Sequence, residues 1–109
     1  MHTMPESKLS FPKLGAHNYS EWVSDMQAYL LVEEVWYIVS GEELEPTKGT
    51  DLDRSKWRNR KGKAAGIIIS GLEKPQKSHI QGITMDPIAM WTKLEKVHQK
   101  KTAGNRFVA

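Results

Sequence analysis

The sequence predicts an all-α domain: a compact bundle of five to six short helices behind an extended N-terminal arm. Three observations carry this. Apolar residues recur at three- and four-residue spacing, capping residues stand at the heads of those runs, and no segment alternates with a period of two. The 109 residues suffice for one domain with a real core and little to spare.

Residues 1–13 carry Pro5 and Pro12 without periodicity and read as a mobile or docked arm, with Leu9, Phe11 and Leu14 placed to dock it. Residues 14–109 form the single lobe. Asn18 is expected to cap the first helix, its side chain accepting from a first-turn amide, with Glu21 completing a capping box. Tyr19, Trp22, Met26, Tyr29 and Leu30 then share one helical face. A second helix over "EEVWYIV" stops at Gly41, a residue suited to a left-handed ending, and Pro46 and Gly49 mark the loop beyond.

Thr50 with Asp53 gives another capping signature. The helix behind it is expected to turn Leu52, Trp57, Ala64, Ala65, Ile68 and Leu72 inward, while Gly62 and Gly66 weaken it unless they admit a close helix crossing. Pro75 interrupts the pattern and leaves "QKSHIQGI" as a short helix at most. In "MDPIAMWTKLEKVHQ", Asp86 caps, Pro87 takes the first helical position and Met85 is expected to staple against Met90. Ile88, Trp91, Leu94 and Val97 or His98 mark its buried face. Thr102 is expected to cap one more helix, "AGNRFVA", whose pattern is cut off in mid-course, so the chain reads as a fragment of something longer.

Composition removes several functions. With no cysteine there is no disulfide, thiol nucleophile or cysteine-ligated zinc, which fits a reducing compartment. No apolar run approaches the roughly 20 residues that span a bilayer, and "MHTMPESKLS" lacks the apolar stretch of a secretory signal. A soluble intracellular chain is expected. G-x-S-x-G and H-E-x-x-H are absent, and Gly62-Lys63 lacks the remaining residues of a phosphate loop. His2, His17, His79 and His98 show no ligand spacing. The acid pairs Glu33-Glu34 and Glu42-Glu43 read as solvated surface. The sequence therefore offers no catalytic residue and no metal site, and it calls for no cofactor, small-molecule substrate or membrane; an enzyme is not expected.

Four tryptophans remain to be placed. A ligand cage needs polar companions converging on a cleft, whereas Trp22, Trp57 and Trp91 each have apolar neighbours on their own face, as core rings do. Trp36 lies in "VWYIV", apolar nearly all round, so one side of that helix is expected to meet a partner. The formal charge of +3 is unevenly spread. Arg54, Lys56, Arg58, Arg60, Lys61 and Lys63 gather on one helix, Lys93, Lys96, Lys100, Lys101 and Arg106 near the end, and the acids at Glu33, Glu34, Glu42, Glu43 and Glu45. The first group is the candidate contact for RNA or DNA. Such binding would be non-specific and salt-dependent, without base stacking, since aromatic residues do not alternate with the cations.

The order of these signals resembles the Gag polyprotein of copia-type LTR retrotransposons, in the N-terminal part of its capsid region. "KLGAHNYSEW" matches the family's Asn-Tyr-x-x-Trp opening through Asn18, Tyr19 and Trp22, with Met26 following. Trp36 and Gly41 match the close of the second helix, and Trp57, Ala64, Ala65 and Ile68 the third. Trp91 and Leu94 match a Trp-x-x-Leu helix, which ends near the Asn105-Arg106 pair. The likeness runs over about residues 9–107; Ala16 stands where the family usually has glycine, and His98 where it usually has an aromatic residue. The resemblance implies a fold like the N-terminal lobe of a retroviral capsid, self-associating into the shell of a cytoplasmic virus-like particle. A single lobe is then expected to associate weakly or in a concentration-dependent way, with a swapped dimer through Phe107 and Val108 as one route.

Overall fold

The computed structural model describes the backbone of residues 9–108 and the side chains of residues 9–99. After the arm come α1 (Tyr19–Val32), α2 (Trp36–Val39), α3 (Asp51–Ser70), a 3-10 helix (Lys74–Ile80) and α4 (Pro87–Val108). The described residues contain no strand, only an isolated parallel bridge between Leu14 and Leu72. The all-α class and the helix number agree with the sequence.

The expected faces meet in one core. Trp22, Met26 and Leu30 of α1 pack with Ala64, Ala65 and Ile68 of α3 and with Met90 and Leu94 of α4. Val35, Val39, Leu72 and Ile80 close the gaps between them. The chain from Leu9 onward packs on the domain. Leu14 is fully buried and Leu9 and Phe11 pack against the core. Residues before Leu9 lie outside the described residues.

Local chemistry sets the boundaries. Thr50 and Asp53 form a reciprocal capping box: Asp53 N–H donates to Thr50 Oγ1 at 3.1 Å, and Thr50 N–H to Asp53 Oδ2 at 2.9 Å. The Thr50 amide's bond to this carboxylate, and secondarily the Thr50 hydroxyl, hold the Asp53 carboxyl below its ordinary range, because they favour its charged form. Asp86 caps α4 by accepting from the Ala89 amide at 3.1 Å. Gly41 takes φ +86 just past α2, the left-handed ending expected there.

Several expectations are corrected. Asn18 stands at the head of α1, but its side chain turns backward, accepting from Gly15 N–H at 2.7 Å and donating to Lys13 O at 3.0 Å; no capping box forms with Glu21. Asn18 thereby fixes the arm rather than the first turn. The second helix loses its front half because Glu34 adopts φ +64, which lets the Val35 amide reach back to Leu30 O at 3.0 Å. Leu52 and Met85 are exposed rather than inward or stapled. In α4 the face rotates, so that Met90, Leu94 and His98 are buried while Ile88, Trp91 and Val97 are only partly so. No helix starts at Thr102. α4 runs unbroken to Val108, since the Gln-Lys-Lys run before Thr102 is made of good helix formers.

The glycines divide by what surrounds them. A Cβ at Gly62 or Gly66 would meet nothing within 4 Å, so neither admits a helix crossing. A Cβ at Gly71 would lie 2.5 Å from Met26 Cε and 3.1 Å from Leu9 Cδ1, inside the packed junction of arm, α1 and α3. Gly71→Ala is expected to cost about 1–3 kcal/mol by overpacking. Gly66→Ala is expected to stabilise by about 0.5–1 kcal/mol, as alanine does in an open helix position. Urea denaturation of the two variants beside the parent checks both signs.

Candidate assembly surface

Three of the four indoles converge. The Trp22 and Trp91 rings lie 5.7 Å apart, and Trp36 meets Trp91 edge-to-face at 5.2 Å. These contacts join α1, α2 and α4 at one point. Trp22 is buried and donates its indole N–H to Gly71 O at 2.9 Å, reaching the end of α3. Trp36 and Trp91 are half-buried against the same core. Trp57 is buried separately and donates to Glu43 O at 3.2 Å, which fixes the α2–α3 loop onto α3. The rings act as packing and as fasteners of the backbone.

A polar pair lies at the edge of this cluster. His98 and Gln76 are both buried, with His98 Nε2 at 2.9 Å from Gln76 Oε1. The His98 ring stacks on Tyr19, 4.8 Å between centroids and nearly parallel. His98 sits one turn beyond Leu94, so its burial was visible in the helical spacing; nothing in the sequence pointed to Gln76. Burial, and secondarily the charge of Glu95, push the Tyr19 phenol above its ordinary pKa.

The candidate nucleic-acid face is largely paired within the chain. Arg54 bonds Asp51. Arg58 reaches Glu45 at 2.9 Å, Lys63 reaches Glu33 at 2.8 Å, and Arg60 grips both Glu43 oxygens at 2.6 and 3.0 Å. Arg60 also donates to the Glu34 carbonyl, and its bonds to Glu43 hold it firmly charged. Lys61 lies 5.5 Å over the Trp57 ring. Of the six cations, only Lys56 has no such contact among the described residues. The acids and bases that look like separate poles in the sequence are neighbours in the fold, because α1, α2 and the loop lay Glu33, Glu34, Glu43 and Glu45 across α3.

Among the described residues no group of His, Asp or Glu side chains has the arrangement to hold a metal ion, and no helix is long and apolar enough to cross a membrane. The family-motif residues Met26, Ile68 and Leu94 are core, and Gly41 is a turn. Asn105 and Arg106 fall within α4, but their side chains, with those of Phe107 and Val108, lie outside the described residues. The notable surface features are apolar. Tyr37, Leu44 and Val32 are exposed on the outer side of the packed frame. Two grooves of similar size also open on the surface. One of about 530 Å3 runs between the arm and α1, lined by Phe11, Asp25, Tyr29 and Val32. The other, of about 510 Å3, lies beside α4, over Ile83 and Ala89 with Lys93 and Lys96 at its edge.

The described residues thus form a helical frame fastened by buried rings and carrying exposed apolar side chains. Residues 26–109 match the family model described as the gag-polypeptide of LTR copia-type. The chain therefore belongs to the copia-type Gag family, and its role is that of a structural Gag protein. No curated protein and no solved structure matches it.

The raised Tyr19 pKa has a consequence for stability. The fold favours the neutral phenol, so the stabilisation is complete below the ordinary value of about 10 and is lost as pH rises through the raised one. Alkaline unfolding of the parent is expected to steepen above about pH 10, and Tyr19→Phe to blunt it. Thermal melts of both proteins across that range check the difference.

Proposed function

We propose that this domain is a capsid-type building block that self-associates to form the shell of a virus-like particle in the cytoplasm. The same reading covers an active element and a domesticated host relative. The observation that carries it is the combination of Gag membership with a frame whose exposed apolar residues stand on fixed backbone. A lobe of this kind works by geometry: weak contacts, each below the strength of a stable dimer, become strong when multiplied over a closed surface. Exchange of the last turns of α4 between copies is a second route to the same contacts.

Non-specific RNA binding is the alternative role. The pairing of Arg54, Arg58, Arg60 and Lys63 with neighbouring acids leaves little free charge on α3 for phosphates. RNA retention is therefore expected to be weak, and neutralising Arg58, Arg60 and Lys61 to change it little.

Sedimentation velocity over a wide concentration range tests the main reading. A weight-average mass that rises with concentration is expected. A strictly monomeric chain, or a tight complex with an unrelated protein, contradicts it.

A further inference from the structure

We propose that copies of this chain join head to tail, the Leu44 loop of one seating in the α4 groove of the next. The proposal rests on self-association and names the two surfaces that carry it.

The loop is a fixed projection. Glu43 N–H donates to Tyr37 O at 2.8 Å, Glu43 O accepts from the Trp57 indole at 3.2 Å, and the Glu43 and Glu45 carboxylates are held by Arg60 and Arg58. The residue between them, Leu44, is 73% exposed. A leucine held outward on a backbone fastened on both sides loses little conformational freedom when it is covered. Its flanks are acidic. Among the described residues the Glu42 carboxylate forms no ion pair, and Glu45 keeps 38% of its side chain exposed.

The groove is the complement in shape and charge. It spans about 510 Å3, enough to receive a leucine side chain, between the end of the 3-10 helix and α4. Half-buried Ile83 and Ala89 give an apolar floor, and His79, Lys93 and Lys96 stand at its margin. Among the described residues neither Lys93 nor Lys96 forms an ion pair, so both are available to the Glu42 carboxylate of an incoming loop. An apolar knob beside the Glu42 carboxylate and an apolar hollow edged by positive charge occur on one chain, at sites that share no residue. A second copy therefore satisfies both, and the contact is heterologous: each copy uses a different surface to bind each neighbour, as a ring or a growing shell requires. The charged margin orients the approach and excludes like-charged surfaces, while the leucine supplies the buried contact.

Two variants of the 109-residue chain test this by sedimentation, with thermal melts to confirm folding. Leu44→Asp disables the loop, and Lys93→Glu with Lys96→Glu disables the groove. Each alone is expected to weaken self-association at least about tenfold. Mixed together, they are expected to form a 1:1 heterodimer and nothing larger, because one intact loop and one intact groove remain. Glu42→Lys is expected to weaken association and to recover it in part with the groove variant. If both variants associate like the parent while the parent's mass still rises with concentration, self-association stands and these surfaces are the wrong ones. If each variant is monomeric and the mixture stays monomeric, the loop does not seat in the groove. A parent that remains a monomer throughout overturns both the self-association and this contact.

Discussion

The carbonyl of Gly71 is the point through which the fold is tied. It accepts two hydrogen bonds, from the Trp22 indole of α1 at 2.9 Å and from the Leu14 amide of the arm at 2.8 Å. The Gly71 amide in turn donates to the last carbonyls of α3. The arm, α1 and the end of α3 meet at this one residue, and the missing Cβ is what lets Met26 and Leu9 close over it. A buried hydrogen bond of this kind adds only about 1 kcal/mol, yet breaking one side leaves a polar group without water. Its larger effect is positional. With Trp22 anchored, its ring sets where Trp91 and then Trp36 can pack, and so the placing of α4 and α2.

A second, electrostatic layer lies outside this core. Exposed ion pairs contribute about 0–1 kcal/mol each, so those along α3 are not what keeps the chain folded. They register the α2–α3 loop. Arg60 reads both the Glu43 carboxylate and the Glu34 carbonyl, so the turn after α1 and the loop after α2 are positioned by one side chain. The loop owes its fixed shape to Arg58, Arg60 and Trp57 together. That arrangement also offsets positive charge on α3 that would otherwise face solvent.

Much of this was legible in the sequence, for a physical reason. Helical periodicity is local, so Trp22, Met26 and Leu30, or Ala64, Ala65 and Ile68, declare their faces without knowledge of the rest. The capping box at Thr50 and the Asp86 cap are equally local. What could not be read is non-local. The partner of Trp22 lies 49 positions away, and nothing in the sequence around Gly71 distinguishes it from Gly62 or Gly66. The charge pattern misleads for the same reason: acids and bases that lie apart along the chain are brought together by α1 and α2 folding across α3. The apolar "VWYIV" suggests a partner face, yet Val35, Ile38 and Val39 go into the core, Trp36 is half-buried and only Tyr37 of the five stands exposed. The exposure of Leu44 follows from bonds made by Trp57 and the arginines, and no local pattern announces it.

Native-state hydrogen exchange of the four indole N–H groups tests the central claim most directly. Because the Trp22 N–H is buried against the Gly71 carbonyl at the joint of arm, α1 and α3, it is expected to exchange only through global unfolding. Its opening free energy should equal that measured by denaturant. A Trp22 indole that exchanges by local opening, well before the helices release their amides, would show that the joint is not what holds this domain together.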